Sequence, residues 1–231
     1  MEPLQEPLGL RERNKAQRAK AIATAAATLF DMHGFDGVTT QAIARAAGVA
    51  DGTVFRYAQS KTELLLMALN RSFAAALEDG LAHGSRFPAG DAVGRLTALA
   101  ASLLAVGGTR PDNAALYQRE LLFSPEGGEF VDEGVAISLR WEAAMTAPYE
   151  ELLALTGRDT VAPAAAQGHT ALSPARLAGS AAWDALQLTV ARRPRHPNNP
   201  QELANLAGQF TLLARGLTRP EPLPTPATTQ E

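Results

Sequence analysis

Hydrophobic residues recur along this chain at intervals of three and four and almost never alternate with polar ones, which predicts helices and no strands. Over 11–33, Ile22, Ala25, Ala26, Leu29 and Phe30 share one helical face, while Arg11, Arg13, Lys15, Arg18 and Lys20 occupy the other. Gly34 stands where a glycine stop belongs. Thr39 and Thr40 suit the cap of a short helix over 41–47 with Ile43 inward, and Gly48 ends it. A third short helix covers 51–57. Ser60 with Glu63 forms a capping box that opens a fourth helix from 61 to about 83, with Leu64, Leu65, Ala68, Leu69, Phe73 and Leu77 apolar.

The same period predicts helices over 91–106, 113–123, 129–155, 174–193 and 200–217. Pro174 and Pro200 suit first-turn positions. Gly107-Gly108, Pro125, Gly127-Gly128, Gly157, Pro163 and the run 194–200 punctuate the gaps. The stretch 156–172 reads as a long loop. Residues 1–10 and 219–231, Pro-rich and aperiodic, read as a disordered leader and tail. The expected organisation is an all-α chain: a three-helix head over 11–60 and a helical body over 61–218.

Composition supports that picture and narrows the chemistry. The 231 residues include 46 alanines, the best helix former. No window reaches the length of a membrane span, and the first residues lack the basic-then-apolar pattern of a signal peptide. With no cysteine there is no disulfide, thiol chemistry or Cys-ligated metal. Together these point to a soluble, cytoplasmic protein. His33, His83, His169 and His196 lie in separate segments without ligand spacing, so no metal is expected. No phosphate-binding loop or nucleophile elbow appears, so neither a cofactor nor an enzyme activity is expected.

The net charge of −3 argues against a nucleic-acid partner when taken whole. Divided at residue 62, it does not. Residues 11–62 carry net +4 and residues 63–231 net −5, the leader holding two further acids. A basic head on an acidic body suits a DNA-binding module joined to a sensing module. Within the head, the helix over 41–47, the turn Gly48-Val49-Ala50 and the helix over 51–57 form a helix-turn-helix layout, whose second helix lies in the major groove. Ile43, Ala47, Val49 and Val54 would pack the pair against the first helix.

The run from Ala47 to Lys61, AGVADGTVFRYAQSK, resembles the N-terminal signature of the tetracycline-repressor (TetR) family of transcriptional regulators. Upstream, Gly34-Phe35, Val38-Thr39-Thr40 and Ile43-Ala44 match the same signature at the same spacing. The resemblance covers residue 11 to about residue 70; beyond it only length and helical content agree. It implies a homodimer on double-stranded operator DNA, most often a repressor, released by a small-molecule effector.

It places Thr53, Tyr57 and Lys61 at phosphate-contacting positions, where two hydroxyls and a cation suit the role. Thr40 and Gln41 open the second helix and can also meet a phosphate. Gly52 allows close backbone approach. Asp51 and Arg56 stand at variable positions facing base edges, Arg suiting guanine and Asp cytosine, with Asp51 equally a helix cap. Arg45 is a further base or phosphate candidate. Three residues depart from the pattern: Ala50 replaces a capping Ser or Thr, Phe55 replaces Tyr, and Ala58 replaces a packing Phe.

In the body, Trp141, Met145 and Tyr149 share one helical stripe, and Tyr117 and Phe123 lie on the preceding helix. These five are the candidate effector residues, with plain core packing as the alternative. Pro148 breaks a backbone bond within that helix, in the region that houses the family's inducer pocket. Ala178, Ala181, Ala182, Ala185 and Leu188 form one stripe of the penultimate helix, and Leu206, Phe210 and Leu213 one of the last. By resemblance these helices build the dimer interface, with Ala178, Leu206 and the aromatic anchors Trp183 and Phe210 in it; the alternative is that they close the monomer core. The rival functions are a helical small-molecule-binding protein or enzyme with a vestigial head, and a DNA-binding protein without an effector.

Overall fold

A computed structural model describes residues 9–106, 110–124, 127–157, 173–193 and 199–218, and all its regular elements are helices. The head is α1 (Leu10–His33), α2 (Thr40–Ala46) and α3 (Asp51–Val54). The body is α4 (Lys61–Gly84), α5 (Ala92–Ala105), α6 (Pro111–Phe123), α7 (Glu129–Leu155), α8 (Pro174–Arg192) and α9 (Glu202–Thr218). The expected loop over 156–172 from residue 158 on, the turn at Gly107-Gly108, the tail, and all but the end of the leader lie outside the described residues.

The starts and stops follow local chemistry. Thr39 accepts from the Ala42 amide at 3.1 Å and caps α2. Ser60 accepts from the Glu63 amide at 3.0 Å, and Glu63 Oε2 reaches back to the Gln59 amide at 2.6 Å. That is the capping box, its return bond falling one residue early. Gly34 closes α1 at φ 71, a left-handed backbone that suits glycine.

The third helix is shorter than its periodicity predicts. It ends at Val54, and tight turns carry the chain on through Tyr57. Ala50 offers no side-chain cap, and no cap from Asp51 replaces it. An Ala50→Ser variant is therefore expected to raise head stability by about 1 kcal/mol, read as a higher denaturant midpoint with unchanged slope.

α4 begins under the head and runs through the body, packing on α1, α5, α6 and α7. Its buried residues, among them Leu64, Leu65, Phe73 and Leu77, join the core of both parts. Across the body, α7 lies against α8 at very close range: a Cβ on Gly179 would collide with Thr146. α7 continues through Pro148, which withholds the amide that would pair with Ala144.

This packing corrects the expected dimer anchors. Ala178, Trp183, Leu206 and Phe210 are all buried within one chain, at 7% exposure or less. Trp183 stacks on Trp141 at 5.9 Å, and the Phe210 carbonyl accepts from Tyr149 at 3.3 Å. Side chains sunk in their own core cannot reach a second copy. The outward faces of α8 and α9 instead present Leu177, Ala181, Leu188, Gly208 and Leu212. The expected stripe of α8 is split by the packing: Ala178 and Ala182 are buried, while Ala181 and Leu188 face outward, because helical period does not say which face the other helices cover.

Candidate nucleic-acid interface and the cavity behind it

The head divides into a buried and an open face. Ile22, Ala26 and Phe30 of α1, Ile43 and Ala44 of α2 and Val54 of α3 are buried together. On the other side, Gln41, Arg45, Asp51, Gly52 and Arg56 are exposed, and Thr40, Thr53 and Tyr57 are half-buried. The five basic residues of α1 from Arg11 to Lys20 are exposed too. The turn between α2 and α3 runs through Gly48 at φ 66, where a side chain would strain the backbone. Gly52 is different. Nothing lies within 4 Å of where its Cβ would stand, so the protein's own packing does not demand glycine there.

Lys61 departs from a freely exposed cation. Its Nζ donates to the Phe35 carbonyl at 3.0 Å and stands 4.2 Å from the Phe35 ring centroid. Phe35 stacks on Phe30 of α1 at 5.8 Å. The ammonium thus ties the α1–α2 loop to the start of α4, with two N–H donors left over. Ala58, at 2% exposure, is packed without the bulk of a phenylalanine.

Behind the head, the body encloses an apolar cavity of about 30 Å³ between α4, α5, α6, α7 and α8. That is room for about one water molecule. Phe73, Tyr117, Ile137, Trp141, Trp183 and Val190 line it. Of the five candidate effector residues, Tyr117 and Trp141 are therefore at the cavity. Met145 and Tyr149 are buried further along α7 and do not line it; Tyr149 secures α9 through Phe210. Phe123 is 74% exposed at the end of α6, where no described helix covers its side of that helix.

Tyr117 also belongs to a network absent from the expectations. Its hydroxyl donates to Asn70 Oδ1 at 2.7 Å, and Asn70 Nδ2 donates to the Phe130 carbonyl at 2.9 Å and Glu133 Oε2 at 2.8 Å. Asn70 is fully buried. α4, α6 and α7 are joined at one point, and a Cβ on Gly134 would lie 2.9 Å from both Asn70 Oδ1 and the Tyr117 oxygen. Burial, and secondarily the Glu133 carboxylate, push the Tyr117 pKa above the ordinary tyrosine range. Its hydroxyl stays a donor at neutral pH. The available signal was a polar Asn70 directly after the apolar run Leu64–Leu69.

A second link joins α6 to the head. Arg110 donates to the Met32 carbonyl at 2.7 Å, and Asn113 Nδ2 to the Phe30 carbonyl at 2.8 Å. Among the described residues no cluster of His, Cys, Asp or Glu could hold a metal, and no helix is long and apolar enough to cross a membrane.

Comparison with known proteins bears on this arrangement. Residues 22–68 match the bacterial regulatory proteins of the tetR family. No curated protein is similar in sequence. Among solved structures, FadR of Bacillus subtilis in complex with stearoyl-CoA superposes with a TM-score of 0.59 at 19% identity, over 85% of this chain and 98% of that one. Thermus thermophilus FadR, a TetR-family repressor in complex with lauroyl-CoA, gives 0.60 at 21% identity, over 91% of this chain and 100% of that one. The fatty acid degradation regulator FadR of Bacillus halodurans gives 0.59 at 19%, over 92% and 98%. The chain thus carries, over residues 22–68, the DNA-binding head of the bacterial regulatory proteins of the tetR family, on a fold that it shares along most of its length with these solved structures.

Proposed function

We propose that two copies of this chain bind a two-fold operator as a cytoplasmic repressor and release it when an effector opens the body cavity. The observation that carries the DNA reading is the open face of α2 and α3: Gln41, Arg45, Asp51, Gly52 and Arg56 are exposed on a head whose other face is core. Gly52, free of any internal packing reason, leaves its backbone accessible to a phosphate. Thr40, Thr53 and Tyr57 flank this face with hydroxyl donors, and the two spare N–H groups of Lys61 add charge at its edge. The proposed role is regulatory rather than catalytic.

Binding to the DNA flanking the protein's own gene, at fixed salt, tests this. Arg56→Ala is expected to cost about 1–3 kcal/mol and to relax sequence preference. Lys61→Met is expected to weaken all sequences alike, and also to lower head stability, because the Phe35 carbonyl loses its donor. Absence of any sequence-specific shift in the parent protein would favour a helical carrier or enzyme with a vestigial head.

For the effector we infer a fatty acyl chain. The cavity lining is almost entirely apolar, and relatives of this fold are solved with stearoyl-CoA and lauroyl-CoA. At about 30 Å³ the cavity must open to admit one, and the Trp141–Trp183 stack and the Tyr117–Asn70 bond are what would part. The two tryptophans are the only ones in the chain, so emission reports on this cavity directly. Lauroyl-CoA is expected to quench that emission and release the DNA over the same concentration range. Release without a change in emission would place the effector elsewhere.

The outward stripe of α8 and α9 supplies the dimer surface. Leu177, Leu188 and Leu212 are 53%, 49% and 68% exposed, with Ala181 and Gly208 keeping the surface between them low.

A further inference from the structure

The positive charge of the head is concentrated where the family match does not reach. Residues 22–68 hold three basic and four acidic residues, a net charge of −1. The three turns of α1 before them, 10–21, hold Arg11, Arg13, Lys15, Arg18 and Lys20 against the single acid Glu12, a net charge of +4. Neutralisation of phosphates supplies essentially all of the sequence-independent affinity of a DNA-binding protein. Residues 22–68 alone would bring a net negative charge to a polyanion.

Packing sets these turns apart as well. The first buried residue of α1 is Ile22, and residues 10–18 are exposed throughout. At 1.5 Å per residue the overhang is about 18 Å long. Helical period puts Arg11, Lys15 and Arg18 on the side of α1 that Ile22, Ala25, Ala26 and Leu29 continue. The face that is core in the second half of the helix is therefore cationic in the first. Elsewhere Arg95, Arg119, Arg140 and Arg193 each pair with a glutamate. Among the described residues, no acid pairs with Arg11, Lys15, Arg18 or Lys20.

Position favours DNA as the partner. Arg110 and Asn113 of α6 hold the C-terminal end of α1 through the Met32 and Phe30 carbonyls, so the overhang is the end of α1 turned away from the body. On its flank, Gln17 and Lys20 line one groove with Ala46 and Ala47, next in the chain to the exposed Arg45 of the open face. A membrane surface is a poorer fit. Leu10 is the one large apolar side chain in 10–21, and a helix held at a lipid interface needs an apolar face.

We propose that the first three turns of α1 lie along the sugar–phosphate backbone of the operator, where Arg11, Lys15 and Arg18 each contact a phosphate. They supply the salt-dependent, sequence-independent affinity that residues 22–68 lack. This inference rests on the DNA-binding reading above and adds a second element to it: α2 and α3 read bases, and the overhang of α1 brings charge.

The test is binding of the full chain to its operator and to a scrambled duplex across a salt series from about 50 to 200 mM. One variant combines Arg11→Gln, Lys15→Gln and Arg18→Gln, all exposed positions where glutamine keeps the helix propensity. A second combines Arg86→Gln, Arg119→Gln and Arg140→Gln, which removes the same charge from exposed positions of the body. The α1 variant is expected to flatten the slope of log K against log salt by about 2.7 per bound chain and to lose at least about tenfold in affinity at the upper salt, with the parent's ratio of operator to scrambled binding. The body variant is expected to keep the parent slope. A parental slope in the α1 variant, equal flattening in the body variant, or a fall in operator preference with scrambled binding unchanged would each overturn the proposal while leaving DNA binding by α2 and α3 in place. Capture of the parent but not the α1 variant by vesicles of anionic phospholipid, at a salt where neither binds the scrambled duplex, would assign the stripe to a membrane and overturn it too. Absence of any operator binding by the parent would overturn the DNA-binding reading, and this inference with it.

Discussion

A chain carrying both Leu188→Glu and Leu212→Glu is expected to sediment as a monomer and to lose about 10²–10⁴-fold in operator affinity. Both side chains stand on the outer faces of α8 and α9, 49% and 68% exposed, so the change leaves the core untouched. Surface substitutions of this kind shift stability by about 0.5 kcal/mol or less. In the proposed interface the carboxylates would instead be buried between the two copies, where desolvation and repulsion oppose association. With the pair apart, each head meets its half-site alone, and the second contact no longer gains from the first. Far-ultraviolet spectra should match the parent, separating dissociation from unfolding. Persistence of the dimer would move the interface to another exposed apolar surface, of which Val135 and Leu139 on α7 are the nearest alternative.

Replacing Asn70 with alanine is expected to cost about 3 kcal/mol of stability, measured by urea unfolding. The substitution orphans the buried Tyr117 hydroxyl and removes the donor to the Phe130 carbonyl, while Gly134 leaves no side chain to close the gap. Tyr117→Phe should cost less, about 1 kcal/mol, because the asparagine retains its bonds to α7. In the double variant the losses should not add, since both remove the same bond. The pH dependence carries a definite sign. The Tyr117 pKa is raised in the folded chain, so its contribution is complete below the ordinary tyrosine value of about 10 and falls as the pH rises past it. Strict additivity in the cycle would show that the Tyr117–Asn70 bond does not couple α6 to α4.

These two sites differ in how far the sequence could anticipate them. The caps at Thr39 and Ser60, the glycine turn at Gly48 and the helix over 129–155 were legible, because each is set by interactions among residues close in the chain. The open face of the head was legible for the same reason. Two short helices with an inward Ile43 and Val54 leave Gln41, Arg45 and Arg56 outside. The length of α3 was misjudged by three residues because the uncapped Ala50 and the tight turns after Val54 compete with helical period.

The local rules lost force in the body. Trp141, Met145 and Tyr149 do share a stripe, yet only Trp141 reaches the cavity, since α8 supplies Trp183 to the same wall and α9 claims Tyr149. Phe123 looked like a cavity residue by spacing but ends α6 in solvent.

Helical class, the basic head and acidic body, the caps and the helix-turn-helix were determined by the sequence alone, because periodicity, propensity and charge act over a few residues. Which apolar stripe became core and which stayed outside was decided by tertiary packing. So were the Asn70–Tyr117 bond, 47 positions apart in the chain, and the grip of Asn113 on Phe30, 83 positions apart. Burial and hydrogen-bond partnership depend on which helix arrives to cover a face, and no local pattern carries that information.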